Sequence, residues 1–103
     1  MIGVAVLYPK TETSHFDTEY YHAKHMKLVR ELWEPMGLRG ARVMHGQTGP
    51  DGKPPLYAVM TLLEFDSVDA FGKAASTHGG PIMGDIANFT NVQPVVQISE
   101  IAS

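Results

Sequence analysis

Apolar residues run almost unbroken from Ile2 to Tyr8, with branched side chains prominent among them, and stop at Pro9, which cannot continue a strand ladder. That predicts a first strand. After the polar stretch KTETSHF a helical period begins at Asp17, whose carboxylate can accept the free N–H groups of a first turn. Glu19 adds favourable charge there, and Phe16 and Tyr21 occupy the two positions of a hydrophobic staple. Glu34-Pro35 and Gly37 end this helix. GARVMHGQ predicts a short second strand, TGPDGKPP a turn rich in fixed or positive φ values, and Leu56 to Phe65 a third strand. Asp66 is the expected cap of a second helix, with Val68, Phe71 and Ala75 on one face and Gly79 and Gly80 closing it. Residues 81–90, PIMGDIANFT, read as a loop with room for one helical turn. From Asn91 to Ile101, Val92, Val96 and Ile98 alternate with Gln93, Gln97 and Ser99, which predicts the fourth strand.

The order βαββαβ implies an α+β, ferredoxin-like protomer: an antiparallel four-stranded sheet with both helices on one face. At 103 residues the chain is expected to be one domain, residues 1–103. Two helices cover only one face of such a sheet, so the other face of a monomer should be polar. Strand one is instead apolar on both sides, and strand three carries Leu56, Ala58, Met60 and Leu62 on one side with Tyr57, Val59, Leu63 and Phe65 on the other. Either residues 77–90 and the hairpin loop cover the second face, or a second copy does. The second copy is the more economical cover, and predicts a two-fold homodimer joined through the sheet faces.

Charge and composition narrow the partners. Eight Lys or Arg against eleven Asp or Glu give a net charge of -3, without blocks of either sign. Nucleic acid and anionic membrane are therefore disfavoured as partners. The absence of cysteine removes disulfides, thiolate nucleophiles and cysteine metal sites, and is compatible with a reducing compartment. The apolar N-terminal run is too short to span a bilayer and lacks the marks of a signal peptide, so a soluble, cytoplasmic protein is expected.

Candidate chemistry is concentrated in YYHAKHMKL, residues 20–28. On an ideal wheel Tyr21, His25, Leu28, Leu32 and Met36 form one line with Val29 and Trp33 beside it. His25 then lies under the helix against the sheet, His22 on the flank near Met26, Val29 and Trp33, and Tyr20 points away. An imidazole so placed is either a satisfied structural group or a group that meets something in a cavity. Tyr8 and Tyr57 on the strands and six methionines favour a pocket lined by adaptable apolar groups with a few polar ones. Asp85, Asn88 and Phe89 line either a surface loop or the mouth of that pocket. His22-x-x-His25 lacks a nearby carboxylate and the three or four ligands zinc requires, so no metal site is expected. Haem through one histidine is disfavoured too, and HGGPIMGD matches no phosphate-binding glycine loop. No cofactor is expected.

LYP closing strand one, FDTEYYHAKHMKL opening the helix, GL after it, and GDIANFTNVQPVVQISE leading into the last strand together resemble the EthD-like family of the dimeric α/β-barrel superfamily. The family motif Tyr-x-x-x-His-x-Pro-Leu is matched by Tyr21, His25 and Leu28, with Lys27 where proline is common. The resemblance implies a ferredoxin-like protomer, a homodimer through the sheets, and a cavity between each sheet and its helices. It also brings an association with oxidative degradation, while some relatives look like decarboxylases or dehydratases. Fold alone decides none of these. Two functions are expected on this basis. In the first, His25 is general acid/base on a small apolar carbonyl or phenolic compound, as an oxidoreductase or a lyase or isomerase, with Tyr21 as catalytic partner and Tyr8, His22, Trp33, Tyr57, Asp85 and Phe89 as substrate contacts. In the second, the protein is a non-catalytic carrier of a hydrophobic metabolite, or of haem, that assists an oxidative pathway.

Overall fold

The computed structural model describes residues 1–102. Strands β1 (Ile2–Pro9), β2 (Leu38–His45), β3 (Tyr57–Phe65) and β4 (Val95–Glu100) form one antiparallel sheet in the order β2-β3-β1-β4. Two helical stretches, residues 18–33 and Val68–Asp85, complete an α+β, ferredoxin-like fold. Alternation along each strand decides which side chains they cover. Val4 and Tyr8 on β1 and Val59, Thr61, Leu63 and Phe65 on β3 are buried under the helices.

The first helical stretch starts as its sequence requires. Asp17 accepts from the Tyr20 N–H at 3.0 Å, and the Phe16 and Tyr21 rings meet at 4.9 Å. It then departs from an ideal wheel, because Tyr21–His25 is a π-turn in which the Met26 N–H reaches back to the Tyr21 carbonyl. One extra residue is absorbed, so the buried face moves one position onward. Met26, Val29 and Trp33 are buried beyond the turn, whereas Leu28, Leu32 and Met36 are only partly covered. The stretch ends at Gly37, whose φ of 110° turns the chain directly into β2. For that reason β2 begins at Leu38, two residues before the expected start.

The second helix corrects three expectations. Its cap is Ser67, whose hydroxyl accepts from the Ala70 N–H at 3.1 Å, while Asp66 is taken by a forked ion pair with Arg39 at 2.7 to 3.1 Å. Its buried positions include Ala74 and Ile82, and Val68 is exposed. It does not close at Gly79 and Gly80. The backbone leaves helical geometry at His78 alone and resumes as a second segment reaching Asp85, followed by a short 3-10 turn, Ile86–Asn88. Pro81 falls in the first turn of that segment, where its missing N–H has no helical partner to lose. The stretch expected as a loop is therefore largely helical.

β3 begins at Tyr57, with Leu56 fully outside the sheet, and β4 begins at Val95, after Pro94, rather than at Asn91. Val96 and Ile98 lie opposite Val6 and Val4 on the helix side, yet remain 48% and 42% exposed on this edge strand. On the uncovered face, Leu7, Met60 and Leu62 stand with Met44 opposite Met60 and Val95 opposite Leu7. Among the described residues no helix is long and apolar enough to cross a membrane.

Candidate functional site

Tyr21 and His25, at the two ends of the π-turn, are both buried against the sheet. Their rings stack at 5.2 Å, and the Tyr21 hydroxyl shares a 2.5 Å hydrogen bond with Thr61 of β3. Phe89 closes the other side of the imidazole at 4.6 Å and also packs on Tyr8 and Tyr21. Phe89 is fixed from the chain on both sides. Its carbonyl accepts from the Asp17 N–H at 2.7 Å, the neighbouring Thr90 hydroxyl donates to the His15 carbonyl, and Asn91 bridges Thr13 and His15.

Asp85, at the end of the second helix, lies 3.0 Å from His25 Nδ1. Its other oxygen accepts from the Tyr20 hydroxyl at 2.6 Å and from the Asn88 amide at 2.9 Å. Partial burial pulls the Asp85 carboxyl upward, but the hydrogen bonds from Tyr20, Asn88 and His25 outweigh it and hold the group below the usual carboxylate range. For His25 burial dominates and lowers the imidazole below 6.5, with Asp85 opposing. The pair at neutral pH is thus a carboxylate and a neutral imidazole. A carboxylate only accepts, so Nδ1 carries the proton and Nε2 keeps its lone pair.

Beside this pair is a cavity of about 80 Å³ whose lining includes His25, Tyr8, Tyr21, Thr61 and Trp33. Met83 and Val96, both exposed, also line it. Burial raises the Tyr8 phenol strongly, with the neighbouring Tyr21 adding to it, and burial also raises Tyr21 against the opposing hydrogen bond to Thr61. Both phenols stay protonated and can present O–H groups to an oxygen. Chemically, the arrangement unites a neutral, oriented imidazole with hydroxyl donors in an apolar hollow. Among the described residues no three His, Cys, Asp or Glu side chains converge as metal ligands would.

No family model matches the chain and no curated protein matches it. Solved structures do. An EthD-like protein from Ralstonia eutropha JMP134 is 39% identical, with 99% of this chain and 92% of that one covered and a TM-score of 0.92. This chain belongs to the EthD-like family. An EthD family protein from Bacillus halodurans C-125 shares 22% identity over 98% of both chains, with a TM-score of 0.70. A dimeric ferredoxin-like protein from an uncultured marine organism, 12% identical at a TM-score of 0.55 and covering 100% of this chain and 96% of that one, shares the fold.

Of the residues singled out from the sequence, this EthD-like protein brings Tyr8, Tyr21, His25 and Trp33 around one cavity, with Asp85 and Phe89 behind the imidazole. His22 is elsewhere: exposed, with its ring against His45 of β2 rather than Val29 or Trp33. Tyr57 borders a separate hollow at the sheet end, with Met44, Leu56 and Met60. Tyr20 does not point away, because the segment after the His78 kink comes up beside it and offers Asp85. Thr61 was silent in the sequence, where a threonine in a strand signals only β propensity. A buried hydroxyl on the same strand face as Val59 and Leu63 is the trace that could have marked it.

Proposed function

We propose that this EthD-like protein is a homodimeric acid/base enzyme in which His25 Nε2 takes a proton from a small, largely apolar carbonyl or phenolic compound. The observation that carries the reading is the His25–Asp85 contact at 3.0 Å on the wall of the apolar cavity. Asp85 holds the ring and its tautomer, and stabilises the imidazolium once the proton has moved. The hydroxyls of Tyr21 and Tyr8 stand on the same wall to meet developing negative charge on the enolate or phenolate oxygen. At about 80 Å³ the hollow is smaller than the roughly 150 Å³ that holds benzene in an engineered core. It therefore takes the reactive end of a molecule whose remainder projects past Met83 and Val96. Proton transfer at the carbon beside a carbonyl serves isomerisation, protonation of the enolate left when CO2 departs, and formation of the enolate that dioxygen as external oxidant would attack, which suits a family associated with oxidative degradation.

The homodimer is formed through the uncovered sheet face. Its support is the apolar set Leu7, Met44, Met60, Leu62 and Val95, and the description of two neighbours of this fold as dimeric.

Exchange of carbon-bound hydrogen for solvent deuterium in a panel of small 1,3-diketones and phenyl ketones, followed by NMR, tests the proton step directly. Wild-type protein should accelerate exchange in at least one member, and His25→Gln should slow it about 100-fold or more while ligand binding persists. Binding without any exchange would favour the carrier function, and exchange unaffected by His25→Gln would remove His25 from the chemistry.

A further inference from the structure

His22 and His45 play no part in the cavity, yet they converge from two elements. Their Nε2 atoms are 2.8 Å apart, with the ring centroids at 5.0 Å, one histidine on the π-turn and the other at the end of β2. Both are exposed. In the metal-free protein this spacing requires one ring to donate and the other to accept, so the two imidazoles must adopt opposite tautomers. A metal ion would replace that shared proton and accept both lone pairs at once.

The rings now meet nearly head-on, as a hydrogen bond requires, and a small rotation of either exposed side chain turns both Nε2 lone pairs toward one point. Affinity then selects among metals. We propose that His22 and His45 form a surface site for a divalent ion that favours square-planar nitrogen ligation, with Cu(II) as its best occupant. Two protein ligands fill half of the square, and water or another small donor completes it. Room for that donor is at hand, since His45 also lines a polar hollow of about 270 Å³ beside Ser14 and His15. Copper stands above its neighbours in affinity for such ligands in any case. Bound there, the ion would tie the π-turn to the end of β2 across 23 residues of sequence.

The experiment uses full-length, tag-free protein titrated with Cu(II) alone in a weakly coordinating buffer, with equilibrium dialysis for stoichiometry and electron paramagnetic resonance for the ligand set. The expected result is one ion bound per chain in the micromolar range, an axial spectrum with two equatorial nitrogens, and a rise in melting temperature. His22→Asn and His45→Asn should each weaken binding at least tenfold and remove the two-nitrogen pattern. His15→Asn, whose ring shares the hollow, should bind as the wild type does. Binding that survives both His22→Asn and His45→Asn, loss through His15→Asn instead, or no binding at 100 µM metal would overturn the assignment. Both exposed side chains can be changed without opening the core, so circular dichroism of each variant should match the wild type.

Discussion

His25 is held between opposed influences: the core around it disfavours its charge, and Asp85 favours it, with the core dominant. The sign of its pH effect follows. An unfolded chain binds a proton at an imidazole near 6.5, the folded chain only at lower pH, so between those values the unfolded state holds more protons and stability falls as pH drops. Asp85 adds a second loss at lower pH, because its folded carboxyl lies below 3.8 and its contribution disappears as pH falls from there. Removing the carboxylate should expose the balance. In Asp85→Asn the His25 proton resonances should titrate at a lower pH than in the wild type, and stability should fall by on the order of 1–3 kcal/mol, as for a lost hydrogen bond to a charged group. A midpoint that stays or rises would mean that Asp85 does not stabilise the imidazolium. Tyr21 and His25 were legible in the sequence as an i, i+4 pair on an apolar face. The partnership with Asp85 spans 60 residues and depends on a kink, which no local pattern encodes.

At the scale of elements, hydrophobic periodicity located every strand and both helices but assumed 100° per residue throughout. The π-turn breaks that assumption once, and the break is enough to exchange Leu28 and Leu32 for Val29 and Trp33 in the core. Glycine and proline misled in the second helix for a related reason. GGP is a terminator when it follows a helix and an initiator when it opens the next segment, and only packing decides which. Gly37 was unambiguous, and it is a position sensitive to change. A side chain there would need a left-handed backbone and would meet the Ala70 methyl at 3.2 Å. Gly37→Ala should therefore cost about 1–2 kcal/mol from the backbone alone, read as a lower urea midpoint with an unchanged slope.

For the whole molecule, the order of elements was enough to derive the topology, since few arrangements of βαββαβ bury both helices on one sheet. The single chain leaves the second face uncovered. Leu62 lies over Gly3 on that face, where the added atom of any larger residue at position 3 would meet it at 2.9 Å. Leu62→Glu should leave the protomer folded and shift its mass in analytical ultracentrifugation from twice 11.3 kDa to 11.3 kDa at micromolar concentration. A wild-type protein already monomeric there would dismiss the sheet-to-sheet pair.

The break at His78 ties two properties together. Ile82 and Met83 wall the cavity and Asp85 steadies the histidine, and all three ride on the same short segment beyond the break. A guest too bulky for the hollow would have to lever that segment outward, and in doing so would unhook the carboxylate from the ring. Under the proposed chemistry, fit and reactivity would thereby be coupled without any dedicated gate: a reactive end too large for the hollow would meet an imidazole that has lost its support.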